Sequence, residues 1–162
     1  MELQEAVPIQ QGRIQHPLPK LHSLPQDHPL LVATASCHSL IRVDHQLIGY
    51  SIDRKMFQAT RWILKNGPAG FNSDYGIETP ILVSSPIRKK ERLSSIINEV
   101  AVLKQFPFES AARRMTVITQ QKGSSCFTVF IKGAPETIAS LCNPETGTIP
   151  SLIGLYHTCS YW

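Results

Sequence analysis

Apolar residues recur at helical spacing in two stretches of the first half of the chain. From Leu30 to Leu40 the sequence Leu-Leu-Val-Ala-Thr-Ala-Ser-Cys-His-Ser-Leu places Leu30, Ala33, Cys37 and Leu40 on one face and predicts a short helix. Asp53 stands at an N-cap position before Met56, Phe57, Ala59, Thr60, Trp62 and Ile63, and Gly67-Pro68 predicts the end of this second helix. After the turn-rich residues 66–79 the pattern changes to strand-like runs, Ile81 to Ser84 and Ile96 to Phe106. Between them the basic cluster Arg88-Lys89-Lys90-Glu91-Arg92 reads as a solvated loop. Arg114 to Thr119 and Cys126 to Lys132, rich in β-branched residues, flank Gly123 and predict a hairpin. A helix follows directly: Pro135 sits where a first-turn proline loses no bond, and Glu136 favours the positive helix end. Ile138, Leu141 and Cys142 share a face until Asn143-Pro144 stop it.

The ends have a different character. Pro8, Pro17, Pro19, Pro25 and Pro29 fall among Gln and His, a composition that interrupts regular hydrogen bonding and predicts a disordered leader over residues 1–27. Residues 28–146 are assigned to one domain and 147–162 to a tail of separate character. The predicted fold class is α+β, an antiparallel sheet with helices packed on it.

With 162 residues there is room for one domain, and 42% apolar against 17% charged residues marks it as globular. A formal charge of +4 favours anionic partners without choosing among nucleotides, nucleic acids and lipid headgroups. No run of about 18 apolar residues occurs, so nothing here spans a bilayer as a helix. The cysteines at 37, 126, 142 and 159 form no CxxC pair, which predicts reduced thiols in a cytosolic setting and no metal site.

If the hairpin closes about Gly123 with Thr119 facing Cys126, Arg113 comes opposite Lys132 at its open end. Two facing cations cost stability unless an anion lies between them, and the start of the 135–142 helix adds a third positive feature. Phe108, just upstream of the same end, would stack on a base. The residues alone favour a core Phe108, a solvated Arg113 and an ordinary strand-end Lys132.

Phe108-Glu-Ser-Ala-Ala-Arg-Arg-Met115 followed by Phe130-Ile-Lys-Gly-Ala-Pro-Glu136 closely resembles the Phe-x6-Met and Lys-Gly-Ala-Pro-Glu motifs of the P-type ATPase nucleotide-binding domain, in that family's order and spacing. Pro107-Phe108, Leu141-Cys-Asn-Pro-Glu-Thr146 and Ala35-Ser-Cys-His-Ser-Leu40 look most like the type V class, assigned to polyamine or cation transport. The resemblance implies that Phe108 packs against adenine, Lys132 lines the inner pocket, Arg113 lies near the phosphates, and Met115 and Gly133 shape the walls. Gly49-Tyr-Ser-Ile-Asp-Arg-Lys-Met-Phe-Gln58 is similar to a family stretch ending in Glu, which implies that Gln58 meets the adenine amino group with a carbonyl in place of a carboxylate. ATP is the implied ligand, as Mg-ATP in a parent pump. The implied partners are that pump's phosphorylation, actuator and membrane domains, with no nucleic acid.

The sequence holds no Asp-Lys-Thr-Gly-Thr, Thr-Gly-Glu-Ser or Gly-Asp-Gly-x-Asn-Asp motif, so no catalytic residue is assigned and the chain alone is expected to be inactive in hydrolysis. The resemblance covers residues 28 to 146, as a truncated or alternatively spliced product would. It implies a cytosol-facing domain of a multi-pass protein in an endomembrane. One rival reading is a non-catalytic interaction fragment that binds no nucleotide, motivated by Gln58 and by the departure from the family pattern after residue 146. Another is a basic nucleic-acid-binding module using residues 88–92, where no aromatic residue interleaves. Cys37-His38 reads as core packing, because neighbours on a helix point about 100° apart and no second pair stands at ligand spacing. His157 and Cys159 have no partner motif.

Overall fold

The computed structural model describes residues 5–10, 13–67, 71, 72, 74, 75, 77, 78, 81–86 and 99–142, and the backbone of 157–160. The elements run β1 (Ile9–Gln10), β2 (Arg13–Ile14), a 3-10 turn (Leu21–Ser23), α1 (Pro29–Ser36), β3 (Ile41–Val43), β4 (Gln46–Ile48), α2 (Ser51–Thr60) and β5 (Ile63–Asn66). They continue as β6 (Phe71–Asn72), β7 (Ile77–Glu78), β8 (Ile81–Ser84), β9 (Glu99–Glu109), β10 (Arg114–Gln121), β11 (Phe127–Gly133), α3 (Pro135–Leu141) and β12 (His157–Ser160). Among the described residues, antiparallel sheets and three helices agree with the expected α+β class.

Six strands form one antiparallel sheet in the order β12-β11-β10-β9-β8-β5. The period of two along its strands decides what each face buries. Met115 and Val117 of β10, Val100 and Val102 of β9, and Val83 of β8 enter a core shared with Leu31, Leu40 and Phe57. Leu82 and Ala101 point the other way, into a smaller cluster with Tyr75. All four residues of β8 are therefore buried, which explains its unbroken apolar run.

The helices are shorter than their apolar periods. α1 ends at Ser36, so Cys37 and Leu40 reach the core from the segment after it. His28 caps its start, Nδ1 accepting from the Leu30 N–H at 3.2 Å. α2 begins at Ser51, which puts Asp53 inside its first turn rather than at the N-cap. It ends at Thr60 rather than near Gly67, because Arg61 adopts a left-handed conformation (φ 62°) and turns the chain into β5. Leu141 on α3 is exposed rather than packed beside the buried Ile138.

The hairpin register also differs from expectation. Thr119 lies opposite Thr128, not Cys126, and Lys132 lies opposite Met115. The turn is closed by the Ser124 N–H donating to the Gln121 carbonyl at 3.0 Å, with Gly123 left-handed (φ 79°), and Ser124 to Cys126 stay outside the ladder. Those unpaired residues move the partner of every β10 residue, and Arg113 drops out of the ladder into the turn before β10.

The last part of the proline-rich leader packs against the domain. Leu21 and Leu24 are buried in the main core, and the Trp62 indole N–H donates to the Gln26 side-chain oxygen at 3.1 Å. Prolines exclude long helices and central strands but leave short turns free to deliver single apolar side chains. The basic cluster 88–92 and residues 143–156 lie outside the described residues.

Leu21 supplies a direct check that the leader belongs to the folded unit. Leu21→Ala should lower unfolding free energy by about 2–5 kcal/mol in urea denaturation, whereas a leader that packed on nothing would leave the midpoint unchanged.

Candidate functional site

Where the far end of the sheet meets the start of α2, the packing leaves a cavity of about 650 Å³. Phe108 from β9, Met115 from β10, Lys132 and Gly133 from β11, and Asp53 and Met56 from α2 line it. Phe108 stands where β9 runs beyond the covered core and is 51% exposed, so its ring faces open space rather than packed side chains. Met115, by contrast, is fully buried and closes the cavity from the core side.

The charged centre is an ion pair between Lys132 and Asp53, both largely buried. Lys132 donates to Asp53 Oδ1, and the Ser39 N–H donates to Oδ2 at 3.3 Å, so both carboxylate oxygens are engaged. Placement in the first turn of α2 adds the favourable helix dipole to the carboxylate. The lysine projects from β11 because the strand's alternation sends Phe130 and Lys132 to the same side, one into the core and the next to its rim.

Cys37 and His38 lie beneath this pair. Burial pushes the Cys37 thiol up to about 12 despite the nearby Lys132 charge, so it is protonated and unreactive. Burial, reinforced by Lys132, lowers His38 to about 4. The Leu40 N–H donates to His38 Nδ1 at 3.2 Å, which leaves Nε2–H to donate to the Ala35 carbonyl at 2.9 Å, the bonding of a neutral imidazole. The pair is core packing, as its spacing predicted, and no group of three metal-ligating side chains occurs among the described residues.

The cavity thus gathers four of the six residues singled out in the sequence: Phe108, Met115, Lys132 and Gly133. Arg113 is not on its lining. It sits in a left-handed turn (φ 51°), and its guanidinium pairs with Glu136 at the start of α3. Gln58 is on the exposed face of α2, away from the cavity, and the carboxylate on the wall is Asp53, five residues earlier. One signal could have found it: Asp53, Phe57 and Thr60 form the buried stripe of α2, and a carboxylate on such a stripe demands a partner.

Gly133 is required by close approach rather than by an unusual backbone angle. A Cβ there would overlap the Arg113 carbonyl oxygen and come within 2.9 Å of Arg114 Cα. The same junction is tied by the Ala134 N–H donating to the Arg113 carbonyl at 3.0 Å.

Residues 71–147 match the family model described as P-type ATPase, cytoplasmic domain N. The sequence is 43% identical over 118 residues to the probable cation-transporting ATPase 13A4 of Homo sapiens, covering 73% of this chain and 10% of that protein. It is 37% identical over 120 residues to the polyamine-transporting ATPase 13A2 of Homo sapiens, covering 73% and 10%. Against the Mus musculus 13A2 protein it is 36% identical over 152 residues, covering 93% and 13%. The chain belongs to the type V P-type ATPases, in their cytoplasmic N domain. It spans about a tenth of the length of these relatives. Among the described residues of this N domain no helix is long and apolar enough to cross a membrane.

Two measurements check this geometry in the N domain. Gly133→Ala should destabilise by about 1–3 kcal/mol, because backbone rather than a flexible side chain obstructs the new methyl; an unchanged thermal midpoint would contradict the close approach. His38 stays neutral in the folded chain down to about pH 4 while the unfolded chain takes up a proton near its ordinary 6.5, so stability should fall as pH drops through that window. His38→Gln should flatten the slope of unfolding free energy between pH 6.5 and 4 relative to the wild type.

Proposed function

We propose that this domain binds ATP, with the adenosine portion in the cavity, and that in a parent pump it serves ATP-driven transport of cations or polyamines. The observation that carries the reading is the convergence of Phe108, Met115, Lys132 and Gly133, from three strands, on one cavity of about 650 Å³. That volume falls within the range of small-molecule sites, roughly 300–1,000 Å³. The half-exposed Phe108 ring offers a stacking face, and Asp53 and Lys132 supply an acceptor and donors at fixed positions.

Charge indicates which part of the nucleotide enters. Among the described residues the charged side chains on the lining are Lys132, Asp53 and Glu5, one cation against two carboxylates. Such a wall repels a triphosphate, so the uncharged base and ribose occupy the cavity and the phosphates, with their Mg²⁺, stay at the mouth. Arg113 lies outside the lining and reaches those phosphates only by releasing Glu136. The rival reading as a non-binding interaction fragment drew on Gln58 and on the departure from the family pattern after residue 146, and the first of these grounds weakens because Gln58 is not on the cavity lining. Relatives named as cation- and polyamine-transporting ATPases support the transport part of the reading, with the whole pump's activity residing in a protein of which the matched stretch is about a tenth.

Titration of the purified chain with a fluorescent ATP analogue tests the site. Phe108→Ala should weaken binding by about 5- to 150-fold, the equivalent of roughly 1–3 kcal/mol of base stacking. No saturable signal from the wild type, or equal affinity in the variant, would refute the reading.

A further inference from the structure

The cavity has a wall that the motifs do not supply. Glu5, Ala6 and Val7, at the start of the described chain, line it together with Phe108 and Lys132. They belong to an arm that folds back on itself. The Ala6 N–H donates to the Leu18 carbonyl at 2.9 Å, the Leu18 N–H returns a bond to Ala6 at 2.7 Å, and the Gln15 N–H donates to Pro8 at 2.8 Å. Ile9 pairs with Ile14 in the same antiparallel sense.

Two features set how this arm is held. Its base is fixed, since Leu21 and Leu24 are buried in the main core immediately after it. Ala6 and Leu18 pack partly buried against the same core, but beyond them the backbone bonds among the described residues run within the arm, and Val7, Ile9 and Ile14 are all substantially exposed. A segment with internal hydrogen bonds but little buried apolar surface opens locally at low free-energy cost. Pro8, Pro17 and Pro19 further confine its bending to few positions.

We propose that Glu5–Val7 is a ligand-contacting wall of the adenosine site, an arm that packs against bound nucleotide and is ordered by it. The proposal rests on the nucleotide reading of the cavity and adds a contact to it. Val7 provides an apolar surface that remains partly in water until a ligand covers it, and Glu5 places its carboxylate where it disfavours phosphate entry and keeps the triphosphate outward. Ligand and arm then stabilise one another by the same free energy, so closing of the arm slows ligand release and binding quiets the arm.

The test uses the full chain with ATP as the probe. Hydrogen exchange at the Ala6 and Leu18 amides should slow on saturation with ATP. Val7→Ser, a change at an exposed position that should leave the thermal midpoint within a degree or two, should weaken ATP binding about three- to tenfold through lost apolar contact. Exchange at Ala6 and Leu18 that ignores ATP, or unchanged affinity in Val7→Ser, overturns the arm while leaving the nucleotide site standing. Absence of saturable ATP binding by the wild type overturns both.

Discussion

The ion pair between Lys132 and Asp53 is the constraint on which the arrangement of the site depends. It joins the end of β11 to the first turn of α2 across a gap of 79 residues in sequence, and both partners are largely removed from water. Neither charge is tolerable there alone, and breaking such a pair costs about 3–5 kcal/mol. The Ser39 N–H and the positive end of α2 share in satisfying the carboxylate, so the segment from Cys37 to Leu40 is shaped around it. His38 beneath remains neutral because burial and the Lys132 charge both disfavour its protonation, and the bond that Nδ1 accepts from the Leu40 N–H fits that state. One polar contact thereby fixes where the sheet, α2 and the segment after α1 stand relative to the cavity.

A second constraint acts on backbone rather than charge. At Gly133 the chain passes so near Arg113 and Arg114 that no side chain fits, and the Ala134 N–H closes the junction. This close approach turns Lys132 into the cavity and sends Arg113 outward into a left-handed turn, where Glu136 takes its charge. The Lys-Gly-Ala-Pro-Glu string therefore works as a unit. The lysine pairs with Asp53, the glycine permits the crossing, the proline starts α3, and the glutamate holds Arg113.

Local chemistry made much of this legible. The alternation and β-branching of Arg114 to Thr119 and of Cys126 to Lys132 gave both strands, and Pro135 gave the start of α3. Register was a different matter, because it depends on how many loop residues stay unpaired, and that is set by the Gln121–Ser124 turn rather than by the strand pattern. Arg113 was accordingly placed opposite Lys132, where Met115 stands. The place of Asp53 on the cavity wall has a related origin. Sequence order cannot tell which side of α2 meets β11, whereas the buried stripe of Asp53, Phe57 and Thr60 does.

What the sequence determined by itself is therefore the presence of three helices and of the strands around Ile81–Ser84, Glu99–Glu109 and the hairpin, the family of the N domain and the chemistry collected in its motifs, since propensity, turn residues and motif spacing are properties of short segments. Tertiary structure decided which of those residues share a cavity, through long-range contacts whose partners are far apart in the chain. It drew Asp53 to Lys132, turned Arg113 away to Glu136, and brought the proline-rich leader into the core through Leu21 and Leu24. Burial made the first and the last of those choices, because a buried charge or apolar side chain must find its complement wherever in the sequence it lies, whereas Arg113 and Glu136 pair in the open where the backbone crossing at Gly133 directs them.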